Sequence, residues 1–137
     1  MAKVAFSLVL PERELVTTDA DMVVVPGGEG DFGVLPGHIP MITTVRPGVV
    51  ELYDDNRVTA RYVVAGGFAE VTPERCTLLA EEATPLGDVT ADQLADRLRR
   101  AEEDFEDATA PAAKAAAEQA VTVARELQRA HAWYAGR

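Results

Sequence analysis

Two histidines, one cysteine and one glycine-rich loop bearing carboxylates are where this chain could do chemistry. His38 follows Pro36-Gly37 in a turn-rich stretch, and His131 lies far downstream in an alanine-rich segment. Neither has a Cys or a second His at metal-ligand spacing, which argues against a zinc centre. His131 reads as a packed side chain, and His38 as a turn or contact residue. Cys76 sits in Arg75-Cys76-Thr77-Leu78-Leu79, a run that reads as a strand. There it is expected as a small buried hydrophobe rather than a reactive thiol. Gly27-Gly28-Glu29-Gly30-Asp31-Phe32-Gly33 has the glycine density of a phosphate cradle. It lacks the Lys-Ser/Thr of a P-loop, and its two carboxylates repel phosphate. A dinucleotide fingerprint needs a helix directly after it, and Val34-Leu35-Pro36 forbids one. The stretch is therefore expected to be a loop with positive-φ turns. No nucleophile–base pair is apparent, so a small hydrolase has little support. No catalytic residue, metal ligand or cofactor-binding residue is assigned, and no cofactor is expected.

Charge and length narrow the partners. The chain has 137 residues and a formal net charge of -10, so it has no counterion-release drive toward nucleic acid. Anionic lipid repels it as well. Its hydrophobic fraction of 47% is enough for a packed core. A single Cys forms no internal disulfide. No signal peptide is visible at Met1-Ala2-Lys3-Val4, and no run approaches a membrane span. A soluble cytoplasmic protein is expected, with no lipid insertion of its own.

The sequence changes character near Gly87, which suggests a β domain over 1–87 and a helical tail over 88–137. Before that point, glycine, proline and β-branched residues dominate. Short runs at Val4–Leu10, Glu14–Thr18, Met22–Val25, Gly33–Leu35, Ile39–Thr44, Val49–Tyr53, Val58–Val64, Phe68–Val71 and Arg75–Glu81 read as strands. Asp54-Asp55-Asn56 reads as a polar hairpin turn. Many short strands at this spacing predict an antiparallel sandwich or barrel. After Gly87, Thr90-Ala91-Asp92-Gln93 forms a capping box, with Thr90 as N-cap and Gln93 reaching back. Leu94, Leu98, Ala101 and Phe105 then share one helix face. Pro111 suits the first turn of a second helix. Its seam is expected at Ala113, Ala117, Ala120, Ala124, Leu127, His131 and Tyr134. Two antiparallel helices meeting through alanine bury little area, at about 25 cal/mol per Å², so the hairpin is expected to dock only marginally. The run Glu102, Glu103, Asp104, Glu106 and Asp107 reads as a solvated face.

The stretch from Val24 to Pro40, centred on Gly33-Val34-Leu35-Pro36-Gly37-His38, closely resembles the epsilon subunit of F-type ATP synthases, called delta in mitochondria. Three further segments resemble that family in order and spacing: Arg46-Pro47-Gly48-Val49-Val50, Val64-Ala65-Gly66-Gly67-Phe68-Ala69-Glu70-Val71, and Thr77-Leu78-Leu79-Ala80-Glu81-Glu82-Ala83. The helical half resembles it in length and organisation more than in residues. The resemblance implies a flattened antiparallel β-sandwich of about ten strands, followed by a two-helix antiparallel hairpin. It implies a non-catalytic rotor subunit on the central stalk of a proton-translocating enzyme, at the cytoplasmic face of the bacterial inner membrane. It packs there against the gamma subunit and touches the loops of the c-ring. Glu29, Gly30 and Asp31 match the ring-facing loop, and His38 a position near its base. The competing reading is a free-standing β-sandwich binding module.

The resemblance also implies a tail that inhibits ATP hydrolysis by extending toward the alpha and beta head subunits. Some members bind ATP through an Ile/Leu-Asp-x-x-Arg-Ala motif opening the first helix. Here that motif falls on Val89-Thr90-Ala91-Asp92-Gln93-Leu94. Thr90 replaces its Asp and Gln93 its Arg. A phosphate-bearing ligand thus loses a charge-assisted bond of about 1.5–3 kcal/mol, and no ATP sensing is expected. Arg97, Arg99 and Arg100 on the first helix, with Arg125 and Arg129 on the second, have two readings. They pair with neighbouring acids, or they contact acidic segments of the head.

Overall fold

A computed structural model describes residues 2–137. Ten strands come first: β1 (Val4–Val9), β2 (Glu14–Ala20), β3 (Met22–Gly27), β4 (Gly30–Val34), β5 (Met41–Val45), β6 (Gly48–Asp54), β7 (Arg57–Val64), β8 (Gly67–Val71), β9 (Arg75–Ala80) and β10 (Ala83–Pro85). A single 3-10 turn, Leu86–Asp88, leads to α1 (Ala91–Asp107) and α2 (Pro111–Tyr134). The expected ten-strand sheet followed by two packed helices is what forms.

The strands run in the order β10-β7-β6-β3-β5-β8-β9-β1-β2, with β4 paired to β3. The sheet curls so that its two halves face each other. Val4, Phe6 and Leu8 alternate inward along β1 and are fully buried. They meet Val23, Val25, Val34, Val50, Leu52 and Val64 from one half, and Val71, Cys76 and Leu78 from the other. Period-two patterning thus sets the register, because a one-residue slip would expose the whole core face. The sheet is mixed rather than wholly antiparallel, since β1 pairs parallel with β9. Distant strands meet there, and periodicity carries no information on the direction of such a pairing. Burial pushes the Cys76 thiol up to about 12, so it is an inert core residue.

Turn chemistry closes the hairpins. Asp55 (φ 52°) and Asn56 (φ 63°) carry the two positive angles of a tight turn between β6 and β7. Gly67 has φ +146°, and a Cβ there would lie 2.0 Å from the carbonyl oxygen of Leu79. Only glycine lets β8 approach β9 at this point. The β10 strand has no counterpart in the sequence reading, because Ala83-Thr84-Pro85 is too short to show alternation.

The capping box forms as expected: Gln93 N–H donates to Thr90 Oγ1 (3.1 Å) and Thr90 N–H to Gln93 Oε1 (3.0 Å). The expected seams hold only in part. Leu94 and Ala101 are buried on α1, but Leu98 and Phe105 are half-buried. Lys114 stacks its ammonium 4.4 Å from the Phe105 ring. On α2, Ala117, Ala124 and Leu127 are buried, and His131 and Tyr134 half-buried. Ala113 and Ala120 are exposed, Ala113 in the first turn and Ala120 on an open cleft. The hairpin rests on the outer face of β6 and β7, where Val49, Val63 and Ala65 meet Leu94 and Leu127. Its main anchors are therefore Leu94 and Leu127, not Leu98. Glu102, Glu103, Asp104, Glu106 and Asp107 are all exposed, as a solvated face requires.

Candidate functional site

The glycine-rich stretch is a β-hairpin rather than a loop. Strands β3 and β4 pair up to Gly27 and Gly30, so only Gly28 and Glu29 form the turn. Of the expected positive angles in this stretch, Gly30 alone has one (φ +144°). Gly30 and Asp31 therefore project from strand β4, and Glu29 sits at the tip. Strand pairing wins because Val23, Val25, Phe32 and Val34 give both arms an apolar side to bury. Arg46 staples this hairpin. Its guanidinium donates to the Gly27 carbonyl (2.6 Å) and to the Asp31 carboxylate, while its backbone N–H donates to Pro26 (2.9 Å). His38 is half-buried beside the hairpin, its ring 6.4 Å from that of Phe32 and its Nδ1 2.7 Å from the Ile39 carbonyl. Glu29, Gly30, Asp31 and His38 thus lie in one neighbourhood. Glu29 presents its charge outward at the tip, while the Asp31 carboxylate is paired with Arg46.

The outer face of β5, β8 and β9 is bare. On it, Phe68 (56% exposed) is paired with Leu79 (50%), and Ile42 (73%) lies one row away. Leu35 and Ile39 in the connection after β4 are also exposed. Glu70, opposite Ile42, and Thr44, opposite Phe68, stand on the same face, so exposed apolar side chains are mixed there with polar ones. The opposite outer face, on β6 and β7, is the one the helices cover. Sequence patterning had placed Phe68 and Leu79 in strands. It gave no sign that neighbouring strands would align them on one open face.

The five arginines do not form one patch. Arg97 makes a bidentate pair with Glu82 at 3.0 and 2.8 Å. Arg99 bonds Asp96 and Glu103, which hold its charged form and raise its pKa. Arg100 pairs with Asp96 at 3.1 Å, and Arg125 reaches Glu102 across the two helices at 3.4 Å. Arg129 is exposed beside Arg46 and Trp133. Local pairing accounts for four of the five, and exposed pairs of this kind add little stability.

A cleft of about 640 Å³ lies between the hairpin and the sheet, lined by Glu82, Asp88, Gln93, Arg97, Arg100 and Asp104 among others. Its two guanidiniums face three carboxylates, and Glu82 fully engages Arg97. Thr90 and Gln93 spend their polar groups on each other in the helix cap. Among the described residues, each of the cleft's two guanidiniums already has a carboxylate partner, Arg97 in Glu82 and Arg100 in Asp96. Titration calorimetry of the full chain with ATP is expected to show no saturable heat below about 1 mM, the weak-binding limit near −4 kcal/mol. Saturable sub-millimolar binding would contradict this charge accounting.

The fold is a curled sheet with one outer face covered by helices and the outer face of β5, β8 and β9 uncovered. A family model described as "ATP synthase, Delta/Epsilon chain, beta-sandwich domain" matches residues 3–86. The ATP synthase epsilon chain of Paramagnetospirillum magneticum is 50% identical over 125 residues, covering 91% of this chain and 94% of that one. The epsilon chain of Rhodospirillum rubrum is 48% identical over 122 residues, covering 89% and 91%. Among solved structures, a chain of the Euglena gracilis mitochondrial ATP synthase (OSCP/F1/c-ring, rotational state 1) superposes with a TM-score of 0.77. It is 26% identical, and the match covers 95% of this chain and 82% of that one. A chain of the Tetrahymena thermophila mitochondrial ATP synthase central stalk/c-ring shares the fold, with a TM-score of 0.69 at 17% identity and coverage of 94% and 96%. The chain belongs to the ATP synthase epsilon-chain family, whose members are non-catalytic subunits of that enzyme.

Proposed function

We propose that the chain is a rotor subunit on the central stalk, joining the gamma subunit to the c-ring of a proton-translocating F-type ATP synthase. Residues 1–87 make the rotor contacts, and residues 88–137 form a tail that restrains ATP hydrolysis. The observation that carries this reading is the uncovered strip of Ile42, Phe68 and Leu79. These are the large apolar side chains left exposed in the sheet once the helices have covered β6 and β7, with Glu70 and Thr44 among them, and gamma is assigned to this face. A rotor clamp transmits torque through packing and needs no nucleophile or base. The stapled hairpin of Glu29, Gly30 and Asp31, with His38 at its base, supplies a stiff acidic edge for the polar ring loops. Among the described residues no helix is long and apolar enough to cross a membrane. In this reading the chain is held at the cytoplasmic face of the inner membrane through its partners.

When the assembly is purified through a tag on gamma, this chain is expected to follow at a fixed stoichiometry. Recovery of the chain alone, with none in the gamma fraction, would favour a free-standing module instead.

A further inference from the structure

Glu51 is the one buried charged residue among those described, at 6% exposure. It stands in the run Val49-Val50-Glu51-Leu52, where packing alone would take another valine. Cross-strand pairing sets Val49 opposite Val63 and Glu51 opposite Arg61 on the face that the helices cover. Arg61 Nε donates to Glu51 Oε2 at 2.9 Å. The same guanidinium reaches up to the tail. Its Nη1 donates to the main-chain oxygen of Arg137, three residues past the end of α2, and its Cζ lies 5.5 Å from the centre of the Tyr134 ring. One side chain on the sheet thus holds an acid below it, and the last residue of α2 with the segment after it above.

We propose that Arg61 is the positioning residue that latches the C-terminal end of α2 to the sandwich, and that its ionic pairing with Glu51 makes the contact reversible. The inference rests on the reading of residues 88–137 as a detachable tail. Its argument is a comparison of two ways to build this row. An apolar pair at 51 and 61 would add hydrophobic adhesion and leave a sticky surface whenever the helices lifted. A buried ion pair gains little over an apolar pair of equal size, because desolvation offsets the attraction. Once uncovered, it returns to water at low cost. Breaking the pair while it is covered is expensive, because it strands a buried charge. The arrangement holds the docked state in register without making it permanent. Above the latch the contact is small, with two leucines and otherwise valine, alanine and half-buried side chains.

Amide hydrogen exchange on the full chain reads the latch directly, with peptides covering 124–134 as the report and β1 and β9 as the internal reference. Arg61→Met leaves Glu51 covered and without its cation, with only the Tyr53 hydroxyl at 3.5 Å beside it. Exchange in 124–134 is expected to accelerate about tenfold while the reference strands hold. Glu51→Met with Arg61→Met removes both charges, and exchange is expected to return to the wild-type rate or below it. Should Arg61→Met fail to fold, truncation after Ala135 removes the Arg137 acceptor without touching the sheet, and faster exchange confined to 124–134 is again expected. Unchanged exchange in either single alteration would overturn the latch. So would acceleration spread across β1 and β9, which would make Arg61 a general fold residue. A double variant as fast as Arg61→Met would overturn the reversibility argument. All of these are read on the chain alone, so their failure leaves recovery with gamma untouched. Loss of that recovery would sink the rotor reading while the exchange data remained interpretable.

Discussion

Replacing Phe68 and Leu79 together by Asp is expected to abolish recovery of the chain with the gamma subunit. The two side chains pair across β8 and β9 and stand half-exposed on the bare face. Covering such side chains contributes about 1.5–3 kcal/mol each when burial is complete. Two carboxylates at the same positions remove that gain and add the cost of desolvating charge. Together they exceed about 3 kcal/mol, a loss of at least roughly a hundredfold in affinity. The isolated chain keeps its fold, because neither side chain contributes to the sandwich interior. Circular dichroism and thermal melting check that point alongside the pull-down. Undiminished recovery of a folded double variant would remove the strip from the interface.

The second large effect concerns the tail. Removing residues after Gly87 is expected to raise ATP hydrolysis by the assembled enzyme and leave assembly intact, since the rotor contacts lie in the sandwich. Coupling between distant sites of about 1–2 kcal/mol corresponds to a rise of roughly five- to thirtyfold. Leu94→Asp with Leu127→Asp should act in the opposite direction. Those two leucines anchor the hairpin on Val49, Val63 and Ala65, and buried unpaired charge there unseats it. A tail that is released but still present can extend and block, so hydrolysis falls while synthesis-driven rotation survives. Rates of hydrolysis and synthesis unchanged in both variants would reduce the tail to a structural appendage.

Much of this was legible in the residues because local rules and global fold agree. Alternation along Val4, Phe6 and Leu8 sets the inward face of β1, and Thr90 with Gln93 marks the start of α1. What was not legible came from pairings between distant segments. The parallel meeting of β1 with β9 and the short β10 depend on the curl of the whole sheet. The hairpin at Gly27 to Gly33 was misread as a loop because glycine and carboxylates outweighed its alternating Val25, Phe32 and Val34. Among candidate site residues, Glu29, Asp31 and His38 do share one neighbourhood. Arg46, which staples Asp31 and the Gly27 carbonyl, carried no signal, since its partners lie fifteen or more residues away in sequence. Leu98 shares the periodic face with Leu94, but the sheet lies under Leu94. A charge at Glu51 inside an apolar strand was the one local clue to the latch.

A density map of the intact assembly tests the central claim most directly. The account predicts the outer face of β5, β8 and β9 packed on gamma, with Phe68 and Leu79 covered. It also predicts the Glu29–Asp31 hairpin directed at the c-ring loops. A map in which gamma meets the β6–β7 face, or in which the strip faces solvent and the hairpin points away from the ring, would contradict it.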